Sequence, residues 1–475
     1  MRTKLNTFFQ FTLSLYPHEL DYLMSIQTFT KNVNLKILQQ IYNNCHSDQS
    51  PKPFDTSVDK RTYSYIKTWI INSLKKIDVD VFFEWLIVMD KKVLTDIISP
   101  SDEAEILSYM KIIKPAHYYF IRFFELLQYY RDYLLVRNRN KYNALIASYL
   151  DKYEANYLKS VEINKKLHFI TDSIVKRDTD NADIQEIENL LQQIYFDELL
   201  DGYTRYRAIV RLTIFFYNYR QFDKQLIAYR HLDEIFKTPL FYSKRLLANY
   251  YANRAMMHSK LNELVMAEKY GYLSIQNKNS DYLFYLLNLC SVLVKQGKKT
   301  EVYKLMQESL PMLKNTNNTY YKIGFVSFYI KTLLVNQQYK KAVDYADNYF
   351  DAYKKDIFAH RWHLFFCSYL QALMLSEKYA QILSLCRRYN LIIKENQRIN
   401  RADYMPVILL YSLLAEYMEN IIDKGKLINS IVQTAKELMQ DKYRSHKIIK
   451  LLDEIASVVP SEIKAAKKTL ISYII

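Results

Sequence analysis

The 475-residue sequence predicts an all-α fold, and three observations carry that expectation. Only five glycines occur, too few for a fold built on tight hairpins or on glycine-rich phosphate loops. No proline stands between Pro115 and Pro239, and a proline inside a helix costs about 3 kcal/mol. Half of the residues are hydrophobic, with tyrosine and leucine recurring at helical spacing between short polar breaks. The expected architecture is an N-terminal helical module over residues 1–100, followed by an array of antiparallel helix hairpins over 101–475.

In the first hundred residues, amphipathic segments cover 20–42, 62–77 and 79–98. In the second of these Tyr63, Ile66, Trp69, Ile70 and Leu74 share a face. Between the first two, residues 46–61 hold Pro51, Pro53 and several Ser and Asp, a loop signature. Ser99-Pro100-Ser101-Asp102-Glu103 then reads as a helix start, with a capping side chain followed by acids suited to the positive helix end. Trp69, Phe82, Phe83 and Trp85 read as packing residues. A helix-turn-helix reading of 62–77 lacks the basic charge that DNA contact needs, because residues 1–200 carry 25 Lys and Arg against 26 Asp and Glu.

Beyond residue 101 the chain is punctuated. Arg220-Gln221-Phe222, Asn262-Glu263-Leu264, Gly297-Lys298-Lys299, Gln337-Gln338-Tyr339 and Glu377-Lys378-Tyr379 each end one apolar helix and open another, at separations of 42, 35, 40 and 40 residues. Stepping back by about 40 reaches Asn181-Ala182-Asp183 and Asn140-Lys141-Tyr142. A period of 20–50 residues marks stacked helical units that hide their apolar faces only against their neighbours. After Tyr339, Ala342, Val343, Ala346, Tyr349, Phe350 and Tyr353 form one stripe, and after Leu264 so do Ala267, Tyr270, Gly271 and Leu273. Small residues let helices approach while rings fill the gaps.

Ala255, twelve residues before Ala267 with Leu264 at the turn between them, resembles the small-residue pattern of tetratricopeptide repeats. Cys290 with Lys299 and Val302, and Tyr339 with Ala342, repeat it, and about five units between 205 and 395 take part. The chain departs from that family in its longer period and in lacking the closing proline. The resemblance implies a right-handed superhelical array, a TPR-like α-solenoid, that binds other proteins on its concave side.

Charge is uneven. Residues 201–475 carry 41 Lys and Arg against 24 Asp and Glu, so the net +16 of the chain lies in the C-terminal part. Such a field draws anionic partners, although general lysine-rich usage explains part of it. Arg205, Arg207 and Arg211 with Tyr203 and Tyr206 form one candidate anion-binding group, combining cation and ring as single-strand sites do. Lys442, Arg444, His446, Lys447 and Lys450 form another. The competing reading of both is a solvated helix face.

Catalytic signatures are sparse. Five isolated glycines write no phosphate loop, and no histidine pair has zinc-protease spacing. Asp356, His360, His363 and Cys367 would share one face of a continuous helix, an acid, two imidazoles and a thiol, but Trp362, Phe365 and Phe366 around them read as core. The expectation is therefore no catalytic residue, no metal and no cofactor. Cys45, Cys290, Cys367 and Cys386 form no close pair, which fits free thiols in a reducing, cytoplasmic setting. No cleaved leader is expected, since Asn6 and Gln10 interrupt the first apolar stretch and Pro17-His18-Glu19 follows it. The most apolar run, 282–294, contains Asn288 and is shorter than the roughly 20 residues of a membrane span. The function expected is a non-enzymatic scaffold or sensor for protein–protein interaction, its partner a protein with an acidic surface. The alternative is a regulator whose basic C-terminal repeats bind RNA or DNA.

Overall fold

A computed structural model describes residues 5–47, 50–176, 181–399, 404–440 and 442–471. Twenty-four α-helices, one 3₁₀ turn and no strand occur among them. The chain divides into two compact units, Met1–Asn279 and Ser280–Ile475. Residues 1–100, which the sequence suggests as a module of their own, thus group with 101–279.

The first unit begins with α1 (Asn6–Leu13), α2 (Pro17–Ile26), α3 (Asn32–His46) and α4 (Lys60–Ile77). These are followed by α5 (Val79–Leu94), α6 (Pro100–Ile112), α7 (Phe120–Val136) and the 37-residue α8 (Asn140–Lys176). It closes with α9 (Asn181–Phe196), α10 (Gly202–Asn218), α11 (Phe222–Phe236), α12 (Lys244–Lys260) and α13 (Leu264–Ile275). Side-chain caps set several starts. Asp78 accepts from Asp80 N at 2.9 Å, Ser99 accepts from Asp102 N, and the buried Asp201 accepts from Thr204 N at 2.8 Å. Two apolar cores result. One gathers α5, α6, α7 and the first half of α8 around Phe120, Phe123 and Phe124; the other joins α1–α4 to the end of α8 and to α9–α12. The length of α8 follows from serving both, with Tyr149 in the first and Leu167 in the second.

The N-terminal helices are held by polar contacts as well as apolar ones. His18 Nδ1 lies 2.6 Å from the Tyr251 hydroxyl and Nε2 lies 3.0 Å from Asp233 Oδ1. Glu19, fully buried, accepts from Tyr16 N at 2.8 Å and from the Tyr242 hydroxyl at 2.5 Å. Burial raises the Glu19 carboxyl above its ordinary range, partly countered by Lys244. Arg254 bonds Asp233 at 2.5 Å and lies 4.4 Å from the centre of the Tyr270 ring. Asp233, Tyr242 and Tyr251 lie more than 200 residues along the chain from His18 and Glu19, and these contacts tie α2 to the α11–α12 region.

The second unit starts with α14 (Tyr282–Lys295), α15 (Lys299–Asn315), α16 (Thr319–Val335) and α17 (Tyr339–His360), the last kinked at Tyr353. Next come α18 (Trp362–Leu375), α19 (Tyr379–Arg388), α20 (Leu391–Asn396) and α21 (Val407–Met418). Last are α22 (Lys424–Lys436), a 3₁₀ turn, α23 (Lys442–Ile455) and α24 (Pro460–Ile471). Helices pack in neighbouring pairs. Here α16 touches α14, α15, α17 and α18, and α18 touches α16, α17, α19 and α21. The arrangement is compatible with a helical-repeat array.

One turn recurs in both units. The first residue of each sequence triplet, Arg220, Asn262, Gly297, Gln337 and Glu377, has φ between 57° and 79°. The next residue's N–H bonds the carbonyl five positions earlier: Gln221 to Phe216, Glu263 to His258, Lys298 to Leu293, Gln338 to Leu333 and Lys378 to Leu373, at 2.8–3.0 Å. Asn138 and Asn420 make the same turn, with Arg139 bonding Leu134 and Ile421 bonding Glu416. This is the left-handed helix termination that satisfies carbonyls otherwise left unpaired. Burial follows the same register. Seven residues before the left-handed position stand Thr213, Ala255, Cys290, Ile330 and Leu370, and five after it stand Gln225, Ala267, Val302, Ala342 and Ile382, all at most 3% exposed.

Two predictions follow from these contacts. A Cβ added at Gly297 meets no atom within 4 Å, so Gly297→Ala should destabilise through backbone strain alone, by about 1 kcal/mol, while Gln337→Gly and Glu377→Gly relieve the same strain. Denaturant midpoints should move in opposite directions for the two sets. Asp102 caps α6 and sits 2.7 Å from Lys92, and the lysine and Ser99 hold its carboxyl at about 2. A carboxyl lowered in the folded state contributes stability above its ordinary value near 4 and loses it as pH falls toward 2. The acid arm of stability against pH should therefore flatten in Asp102→Asn.

Candidate functional site

The segment 356–367 does not form the single helix on which its acid, imidazoles and thiol would share a face. Arg361 leaves helical geometry at φ −135° and ψ 39°, so α17 ends at His360 and α18 starts at Trp362. The Arg361 guanidinium lies 4.1 Å from the centre of the Tyr320 ring and against Gly324, where a Cβ would overlap it. Asp356 and the exposed His360 therefore belong to one helix, and His363 and Cys367 to the next.

His363 finds a partner that its local sequence does not show. Its Nε2 lies 2.8 Å from Glu395 Oε1 on α20. Glu395 is fully buried and also accepts from the backbone N–H groups of Ile408 at 3.0 Å and Leu409 at 2.9 Å, the first turn of α21. One carboxylate thus caps α21 and anchors α18. Cys367 Sγ stands 3.8 Å from both ring nitrogens of His363, so neither nitrogen is aimed at it as a base is aimed at a nucleophile. Burial pushes the Cys367 thiol up to about 12, and it stays protonated at neutral pH. Thiol, imidazole and carboxylate here are a structural clasp. Among the described residues no group of three or more His, Cys, Asp or Glu is placed to hold a metal ion.

Beside the clasp the repeat is interrupted. The helix after the Glu377 turn stops at Arg388 after ten residues, and Asn390, at φ 51°, turns the chain into the six-residue α20. The comparable α11, α13, α15 and α17 run for 15, 12, 17 and 22 residues. Here α19, α20 and α21 border an open cavity of about 300 Å³, lined by Leu383, Cys386, Arg387, Asn390, Ile392, Ile393, Ser412 and Glu416. Burial takes the Cys386 thiol to about 12 as well. Sequence reading missed Glu395, Arg387 and Glu416; the one local signal is the polar stretch Arg387-Arg388-Tyr389-Asn390 inside an apolar helix.

The candidate basic residues are placed in two ways. Arg205 is buried, its Nε bonds Tyr195 O at 2.9 Å, and its guanidinium lies 5.9 Å from the centre of the Phe241 ring. Arg207 Nη1 bonds Asn164 Oδ1 at 2.6 Å, and Arg211 Nε bonds Thr171 Oγ1 at 2.6 Å, with burial drawing Arg211 down to about 10. All three tie α10 to α8 or to the end of α9. On α23, His446 and Lys450 are exposed and Lys447 is half-buried, whereas Arg444 lines a groove with Gln433, Thr434 and Glu437. The side chain of Lys442 lies outside the described residues.

Comparison with protein-family models, with curated proteins and with solved structures finds no match.

If the clasp is structural, His363→Ala should lower stability by about 1–3 kcal/mol, because it leaves a buried carboxylate one partner short. Glu395→Gln, which keeps an acceptor for the α21 N–H groups, should cost less. Urea midpoints check the order. Cys367 should react with a thiol reagent only on unfolding, followed by mass spectrometry of the labelled peptide.

Proposed function

We propose that this chain is a TPR-like helical-repeat protein that acts without catalysis of its own, binding another protein along the surface of its stacked hairpins. The recurrent left-handed turn, with the same buried positions on either side of it, carries this reading: five successive hairpins are built to one plan, which is how repeat proteins present extended surfaces. The first helices of successive pairs leave Phe284, Tyr320 and Lys331 exposed, a ring-and-cation composition suited to protein contact. Residues 280–475 carry 28 Lys and Arg against 18 Asp and Glu, which favours a partner with an acidic surface.

No described helix is long and apolar enough to cross a membrane. All four cysteines are unpaired, and this supports a reducing, cytoplasmic setting. The histidine and thiols that the sequence offers for chemistry are engaged in packing and capping, which supports a binding role.

The test is affinity isolation of the full chain from its native source, followed by reconstitution with purified components. The expected result is a defined protein complex that Lys447→Glu with Lys450→Glu weakens about tenfold through lost charge complementarity. Recovery of RNA or DNA instead, with affinity falling steeply and linearly in log salt, would replace this reading with the nucleic-acid one.

A further inference from the structure

The cavity between α19, α20 and α21 holds two opposite charges that do not neutralise each other. Arg387 comes from α19 and Glu416 from α21; both line the cavity, and neither side chain makes an ion pair or a hydrogen bond among the described residues. Arg387 is exposed and Glu416 half-buried, so both charges are open to a molecule entering from solvent, and a site that keeps both available suits a ligand bearing both complements. Leu383, Ile392 and Ile393 supply apolar wall, while the Asn390 amide adds a group able to orient a polar end. At about 300 Å³ the space is at the lower limit for small-molecule sites and too small for a folded peptide segment.

We infer that this cavity binds a free α-amino acid with an aliphatic side chain. Its carboxylate is held by the Arg387 fork, its ammonium by the Glu416 carboxylate, and its side chain lies against Leu383, Ile392 and Ile393. Arginine presents paired N–H donors matched to a carboxylate, and an ammonium donates up to three hydrogen bonds. The zwitterion is selected because each end is opposed by the other charge of the site: a simple anion meets Glu416, and a simple amine meets Arg387. The local architecture supports a purpose-built site. The left-handed Asn390 has no counterpart at that place in the preceding repeats. Glu395, held by His363 and the α21 N–H groups, then fixes α20 as a wall. The Cys386 thiol in the lining stays protonated, so the site binds without reacting.

Isothermal titration of the full chain with L-leucine, N-acetyl-L-leucine and L-leucinamide tests this. Leucine should give saturable binding, and each blocked analogue, lacking one charge, should bind about tenfold more weakly or worse. Arg387→Gln and Glu416→Gln should each weaken leucine to a similar degree. Each should also abolish one discrimination: Glu416→Gln binds N-acetyl-leucine as well as leucine, and Arg387→Gln binds leucinamide as well as leucine. Both side chains are solvent-accessible, and unchanged circular dichroism and melting would show the variants folded. Absence of saturable heat from leucine at millimolar concentration, equal affinity of the wild-type chain for leucine and its acetylated form, or leucine binding indifferent to both substitutions would each overturn the inference.

Discussion

The left-handed residue that ends one helix and admits the next is the constraint on which the hairpins depend. A helix end exposes carbonyls that have no partner within the helix, and a reversal within three residues leaves no room for solvent to satisfy all of them. The bond from the second residue of each triplet back to the carbonyl five positions earlier answers that need. It requires positive φ at the first residue, yet only one of the five triplets uses glycine. Arginine, asparagine, glutamine and glutamate accept a conformation that costs roughly 1–2 kcal/mol for an L-residue. That cost is tolerated because the turn also sets the register in which small or branched side chains, from Ala255 to Ile382, meet across each hairpin.

Polar groups inside the protein fix which helices meet. Apolar stripes rich in tyrosine and leucine are alike from one helix to the next, and area alone distinguishes them poorly. His18 and Glu19 discriminate: a buried imidazole and a buried carboxylate are tolerated only where Tyr251, Asp233 and Tyr242 stand to receive them. A sliding of α2 by one turn would leave both unsatisfied. Glu395 acts in the same way in the second unit, where His363 and two backbone N–H groups converge on one carboxylate. Such groups contribute specificity of assembly more than net stability.

What the sequence discloses follows the range of the physics involved. The hairpin turns were legible because they are local: polar residues interrupt an apolar helix, and in the five triplets from Arg220 to Glu377 the first residue is the one the backbone places at positive φ. The start of α6 was legible from Ser99 and Asp102 for the same reason. The return of residues 1–100 onto α11 and α12 was not, since nothing near His18 names Asp233 or Tyr251. The break at Arg361 also escaped, because its guanidinium rests on Tyr320 and Gly324, forty residues away. The arginines at 205, 207 and 211 looked like a surface group on spacing alone; their hydrogen bonds to Tyr195, Asn164 and Thr171 depend on neighbours that only the fold supplies.

A regular repeat also makes its exceptions readable. Where every local rule agrees, the structure has no reason to hold a cavity or an unpaired charge, and departures concentrate where something other than stability is served. The second helix after Glu377 departs twice, by ending early and by placing a second left-handed residue at Asn390. It does so beside a fully buried carboxylate with three partners, so Glu395 holds the irregular stretch against α18 and α21. A break that is strained at one residue and clamped at another makes a fixed wall, and together with Arg387 and Glu416 it borders an open cavity with defined chemistry. The same hairpin plan that spreads contact surface over many repeats can therefore concentrate recognition of a small charged molecule at one of them.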